Sequence, residues 1–296
     1  MRMKKKTRLD NVTAFTMLIP IVVLLTIFVV IPFIYALYVS FYDWSFYQDS
    51  EFVGWSNFSN VLSDPLFMMS IETGLKFALF VVPAQMILAF FFAHVIRGMG
   101  TKLSGFIKTS IYIPTIISGI IASIIFVFIY DYNAGLANVI VNMFGVENQA
   151  WLADAKTALG SIAIPAVWLG FGITSLIMLA GLLDIPESYY EAADLEGAGS
   201  WTKMVYITIP LMKNVVLYLL IVGFTGAIQQ FELPLVMTGG GPLNETTTPN
   251  LYIFNHFRND LLVGHSIASA LLLFVVLGSI SAIIFKVLNS EKAVDG

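Results

Sequence analysis

The sequence predicts an all-α integral membrane protein of six transmembrane helices with both termini cytoplasmic, and three observations predict it. Apolar residues make up 58% of the 296-residue chain against 11% charged, a balance outside the range of ordinary soluble domains. The apolar residues gather into blocks longer than the roughly 20 residues that a helix needs to cross a bilayer core. Twelve of the fifteen lysines and arginines fall in one alternate set of the intervening segments, as expected when cations are retained on the cytoplasmic side. The alternating strands of about ten residues that a β-barrel requires are absent.

The first span is read over 14–40, after the basic segment 1–13 with Arg2, Lys4, Lys5, Lys6 and Arg8. It is too long for a signal-peptide core and no small-x-small cleavage site follows, so it is expected to be retained. The outer loop after it is rich in aromatics, with Tyr42, Trp44, Phe46, Tyr47 and Trp55. These suit either an aromatic belt at the headgroups or a surface for a partner. Asp64-Pro65 is expected to start a short surface helix.

The second and third spans are read over 71–96 and 107–130, joined on the inside by a loop containing Arg97, Lys102 and Lys108. Glu72 and Lys76, four apart near the outer end of the second span, read as a helical ion pair. The fourth span, 157–183, contains Trp168-Leu169-Gly170-Phe171-Gly172, which suits either ring stacking against a sugar or helix packing. The fifth, 211–231, contains Gly223, Gly226, Gln229 and Gln230 and is followed by Glu232. Small residues admit close helix contact, and amides hydrogen-bond neutral polar ligands. The outer loop Leu235–Pro242, with three successive glycines, reads as a sharp turn or closely packed loop. The sixth span is 263–288, and 289–296 form a cytoplasmic tail.

Between the fourth and fifth spans lies a polar cytoplasmic segment, 184–210. Pro186 at its start, the acids Glu187, Glu191, Asp194 and Glu196, and the exit glycines Gly197 and Gly199 predict a short helix. Ser188 with Glu191 also fits a capping box, which would begin the helix two residues later. Ala192, Ala193, Gly197 and Ala198 leave one side nearly bare, so another surface can approach closely.

Several function classes are excluded or disfavoured. There is no cysteine, hence no disulfide, thiolate site or cysteine nucleophile. GxxxxGK[ST] is absent, so no phosphate cradle is expected. His94, His256 and His265 read as isolated, with no partner at ligand spacing, so metal binding is not expected. An ion-coupled transporter would carry carboxylates at mid-membrane depth, and none is evident. A net charge of −4 gives no sign of nucleic acid as a partner.

Glu191-Ala192-Ala193, then Gly197-Ala198, then Ile209-Pro210 closely resemble, in residues and spacing, the EAA loop of permease subunits of ATP-binding-cassette importers. Phe52-Val53-Gly54-Trp55-Ser56-Asn57-Phe58 and Met237 to Pro242 resemble the first and third outer-loop motifs of the carbohydrate-uptake permeases of the maltose, multiple-sugar and glycerol-3-phosphate type, and Trp168-Leu169-Gly170 sits where the fourth core span of that group does. The resemblance covers essentially the whole chain. It implies a subunit comparable to the larger maltose permease without its extra spans, importing a sugar or oligosaccharide across a bacterial or archaeal cytoplasmic membrane. Another polar solute such as glycerol-3-phosphate is the alternative.

The partners implied are a second permease in a heterodimer, two ATP-binding subunits and an extracytoplasmic sugar-binding protein. ATP and Mg would be bound by the partner subunits, with no cofactor in this chain and no enzymatic activity of its own. The docking face for the ATP-binding subunit would be Glu191, Ala192, Ala193, Asp194, Gly197 and Ala198, with Ser200 capping a second helix. The substrate path would involve Trp168, Leu169, Gly170, Gly223, Ala227, Gln230 and Glu232. Ala166, Ile173 and Gly223 stand where the maltose type has hydrogen-bonding residues, which implies that the ligand rests mainly on the partner permease or is loosely held.

Overall fold

The computed structural model describes residues 2–44 and 49–289, with side chains from residue 13 onward apart from 14 and 289. The basic N-terminal side chains, Phe46, Tyr47 and Lys292 lie outside the described residues. In chain order the helices are α1 (Arg2–Leu25), which continues through a π-turn into α2 (Ile31–Val39), α3 (Ser56–Ser63), α4 (Pro65–Arg97), α5 (Thr101–Ile116), α6 (Gly119–Ile129), α7 (Leu136–Met143), α8 (Ala158–Leu183) and α9 (Glu187–Leu195). Then come α10 (Ser200–Lys203), a π-turn (Met204–Thr208), α11 (Ile209–Leu211), α12 (Lys213–Ile228), α13 (Glu232–Met237), α14 (Pro249–Arg258) and α15 (Val263–Asn289). A two-residue antiparallel pair, β1 (Tyr42–Asp43) with β2 (Glu51–Phe52), joins α2 to α3.

Among the described residues, five runs are long and apolar enough to cross a membrane, and a sixth results if α5 and α6 count as one. The third span is therefore not the single helix expected over 107–130, since α5 and α6 meet at 92°. Pro114 lies one turn before the break, Ile117 is extended (φ −73°, ψ 132°), and the Ser118 side chain caps α6 by accepting from Ile120 N. A second difference concerns Asp64-Pro65. Asp64 does cap a helix, accepting from Leu66 N at 2.8 Å, but it opens the 33-residue α4 and no short surface helix forms.

The chain divides into two compact units, residues 1–63 with 253–272 and residues 64–252 with 273–296. In the first, Asn57 donates to both Ser40 O and Tyr42 O at 2.9 Å, fixing the reversal between α2 and α3. The aromatics of this loop cluster there. Trp44 meets Tyr35 edge-on, Tyr42 lies against Tyr38, and Trp55 contacts Phe41 and Phe58.

The second unit is built on the α4–α8 pair, with α5 and α12 packed against it. Its apolar core lies in two layers. Ala89, Ala93 and Ile96 of α4 meet Met178, Leu179 and Leu182 of α8 in one. Phe77 and Val81 meet Ile162, Ala163, Leu233 and Met237 in the other. Backbone groups that the helices cannot satisfy are met by side chains, as an apolar surround demands. Pro165 lacks the N–H that would pair with Ser161 O, and Tyr130 OH donates to that oxygen at 3.0 Å. Glu72 and Lys76 pair at 2.8 Å.

Backbones come closest where glycine sits. A Cβ on Gly172 of α8 would collide with the Ile111 carbonyl of α5, whereas one on Gly160 meets nothing within 4 Å. Gly172→Ala is expected to destabilise the protein by about 1–3 kcal/mol through overpacking. Gly160→Ala should be neutral or stabilising by about 0.5–1 kcal/mol. Unfolding of both variants in detergent checks the contrast.

Candidate functional site

Between the two core layers, α4, α8 and α12 stand apart around a cavity of about 340 Å³. Glycine and alanine create the space, since Ala166 and Gly170 of α8 face Gly223, Gly226 and Ala227 of α12. Four polar side chains, Gln85, Thr174, Tyr218 and Gln230, stand among apolar walls. Gln85 of α4 donates through Nε2 to Ala166 O at 2.9 Å. Thr174 returns its hydroxyl to Gly170 O. Gln230 turns Oε1 back onto Phe231 N at 2.9 Å, which leaves its Nε2 as a donor. Among the described residues that line the cavity, Tyr218 is the sole titratable one.

Of the residues expected along a substrate path, Gly170, Gly223, Ala227 and Gln230 are brought together here. Trp168, Leu169 and Glu232 are not among its lining residues. The Trp168 ring packs on Phe126 at 5.8 Å between centroids, and the Leu169 carbonyl accepts from Thr115 Oγ1 at 3.0 Å. The Glu232 carboxylate is exposed and lies against Gly119 at the start of α6. Gln85 and Thr174 lie in the middle of apolar runs, away from the paired glutamines and glycines that single out the fifth span. A strongly polar amide in mid-span was the signal that marked Gln85.

The cytoplasmic segment forms an elbow. Ile185, buried in the first core layer, ends the run of α8, and Pro186 then takes an extended conformation at the N-cap of α9. The proline thus stands one position before the helix, and Ser188 makes no cap. At the far end Gly197 adopts φ +73°, so that its N–H reaches Asp194 O and that of Ala198 reaches Ala193 O, a Schellman closure. Ser200 does not cap the second helix as expected. Gly199 occupies the cap without a side-chain bond, and Ser200 is the first helical residue.

Three contacts brace the inner side of this elbow. Lys203 Nζ pairs with Asp194 at 2.6 Å, Tyr190 OH with Thr208 Oγ1 at 2.9 Å, and the Arg97 guanidinium sits 4.7 Å over the Tyr190 ring. They lie along an open pocket of about 400 Å³. The outer side carries no such contact among the described residues. Glu191, Ala192 and Gly197 are exposed with Ala193 and Ala198 partly so, and Leu195 (90% exposed) and Trp201 (72%) project beside them.

The histidines differ from expectation in one respect. His256 and His265 stack with centroids 5.1 Å apart, and Asp260 lies 3.8 Å from His256. They are not isolated, because α14 and the start of α15 fold them together, and Asp260 was in reach at i+4.

A family profile described as the binding-protein-dependent transport system inner membrane component matches residues 3–293. The chain belongs to this family. As an inner membrane component it is a multi-pass membrane protein and a transport subunit of ATP-binding-cassette systems. It is 31% identical to the trehalose/maltose transport system permease protein of Thermococcus litoralis, over 92% of each chain. To the sulfoquinovosyl glycerol transport system permease protein of Agrobacterium fabrum it is 29% identical, over 95% of this chain and 92% of the relative. Its fold matches a chain of a bacterial alginate ABC transporter, crystallised with an alginate pentasaccharide-bound periplasmic protein, at a TM-score of 0.80. That match has 19% identity and covers 98% of this chain and 99% of the other.

Among the described residues of this family member, Gln85 is the one side chain on α4 that hydrogen-bonds across to α8 at the level of the cavity. Gln85→Leu should lower stability by about 1 kcal/mol, the usual worth of an interhelical amide bond in a membrane protein. Thermal unfolding in a single detergent measures it.

Proposed function

We propose that this chain is one of two permease subunits of an ATP-driven importer that receives a neutral sugar or oligosaccharide from an extracytoplasmic binding protein. Two separate ATP-binding subunits would bind ATP and Mg and dock on the outer face of α9. The observation that carries the reading is the two-sidedness of the elbow. Its inner side is fastened to the end of α4 and to the root of α12, while its outer side offers small residues ringed by exposed apolar ones.

A force applied to α9 has a direct route inward. From Ser200 to Ile228 the backbone is nearly continuous helix, because Met212 N bonds Thr208 O and Val216 N bonds Met212 O across the short breaks. Displacing α9 therefore moves the α12 wall of the cavity, where Gly223, Ala227 and Gln230 lie. The docking residues would be Glu191, Ala192, Ala193, Gly197 and Ala198, while Asp194, expected among them, holds Lys203 on the inner side. Ser200 belongs to the inner pocket.

The sugar assignment draws on the named transport systems of the relatives and on the chemistry of the cavity. Amide and hydroxyl groups among apolar walls suit sugar hydroxyls and ring faces. A phosphorylated cargo such as glycerol-3-phosphate would call for arginine or lysine, and the lining contains neither among the described residues. A coupling ion would call for a carboxylate, which is likewise missing there.

Substitution at Gly197 would mix docking with backbone strain, since its φ is +73°, so Leu195 is the cleaner probe. Leu195→Asp should leave insertion and folding unchanged and lower ATP hydrolysis stimulated by the loaded binding protein at least about ten-fold, as expected for a buried contact residue. Normal stimulated hydrolysis in the assembled complex would place the motor contact elsewhere.

A further inference from the structure

The short outer helix α7, LANVIVNM, has its polarity inverted relative to a helix lying on a protein in water. Leu136, Val139, Ile140, Met143 and Phe144, a stripe at helical spacing, are all exposed, Phe144 by 82%. Asn138 on the opposite side is 1% exposed. Its amide is fully used. Nδ2 donates to Tyr132 O at 3.0 Å and Gln149 O at 3.1 Å, while Oδ1 accepts from Gln149 N at 2.9 Å and Trp151 Nε1 at 2.8 Å. Asn142 and Asn148 extend the network, with Asn148 Nδ2 donating to Tyr132 O at 2.8 Å. The polar edge thus ties α7 to its own loop and turns the apolar edge outward.

We propose that α7 lies in the outer leaflet of the membrane, with the stripe from Leu136 to Phe144 among lipid acyl chains. Two observations choose lipid over a protein partner. The stripe adjoins another exposed apolar surface, for α7 lies next to α6, whose Ile121, Ile124, Ile125 and Phe128 are exposed apolar residues of the third span. The Gly135 N–H bonds Asp131 O, which holds the start of α7 close to the end of that span. Charge agrees. No Asp, Glu, Lys, Arg or His occurs between residues 132 and 146, whereas a protein-docking patch carries a polar rim around its apolar centre. Tyr132 and Trp151 beside the helix are the residue types that collect at the headgroup level. Seated there, α7 fixes the depth of the outer end of α6, the half of the third span that follows the 92° break.

The chain has no cysteine, so single-cysteine variants can carry one nitroxide each. Ile140→Cys and Phe144→Cys report on the stripe, and Asn133→Cys, on the exposed turn before α7, is the aqueous reference. Met143→Cys is a further stripe position should either label disturb assembly. The assembled importer is placed in vesicles of phosphatidylethanolamine and phosphatidylglycerol, and label relaxation by oxygen is compared with relaxation by a water-soluble nickel chelate. At the stripe, the oxygen-to-nickel ratio is expected to exceed that at Asn133 by about ten-fold, as for a helix buried some 5–10 Å into the interface. Equal ratios at stripe and reference would overturn the proposal. So would a stripe open to nickel in vesicles alone and shielded only when the extracytoplasmic binding protein is added, which would make α7 a protein-docking face.

Discussion

Gln85 crosses from α4 to the Ala166 carbonyl of α8 at the wall of the cavity, a side-chain bond between helices whose outer faces have no water to pair with in a bilayer. That requirement shapes the membrane half of the larger unit. Helices of mostly apolar residues gain little from being next to one another in lipid, so shape and scarce polar bonds decide where they meet. Gly172 lets α5 touch α8 backbone to backbone, Thr115 ties the end of α5 to Leu169 O, and Tyr130 answers the carbonyl that Pro165 leaves open. Among the described residues no buried side-chain nitrogen or oxygen is left without a partner. The cavity sits between two close-packed layers, one toward each end of the helices. Opening one end while the other stays shut is what such layering permits.

The elbow obeys a different physics. It is exposed and polar, and its braces are surface interactions of modest worth, an ion pair of about 0.2–1 kcal/mol and a cation–π contact of about 0.5–2 kcal/mol. Their value is directional. The ion pair holds α9 to α10, and the two contacts of Tyr190 fasten the turn to different helix roots, so a push on α9 is shared with α4 through Arg97 and with α12 through Thr208. A stiff helix closed by a Schellman turn moves as a body, whereas a frayed one would absorb the displacement.

Much of this was legible in the sequence because the bilayer leaves few choices. Long apolar blocks, the inside bias of lysine and arginine, and the spacing from Glu191 to Pro210 identify the class of fold and the elbow. The details that failed are those where a neighbour in space decides. Ser200 has the chemistry of a cap, yet Gly199 takes the position because the chain leaves Gly197 in a left-handed turn and arrives extended. Trp168 lies in the expected stretch, but its ring turns to Phe126 on α6, since the third span is bent in a way that no hydropathy profile reports. Gln85 is a lone uncharged amide inside an apolar run, and only its neighbour on α8 reveals what it bonds. His256 and Asp260 share one stretch of chain, while His265 joins them only through folding.

The cavity lining and the exposed face of α9 have no residue in common. Exchanges at Gly223, Ala227 or Ile173 can enlarge, shrink or re-polarise the chamber without altering what the elbow presents outside. The two surfaces are thus free to vary independently, since no side chain answers to both.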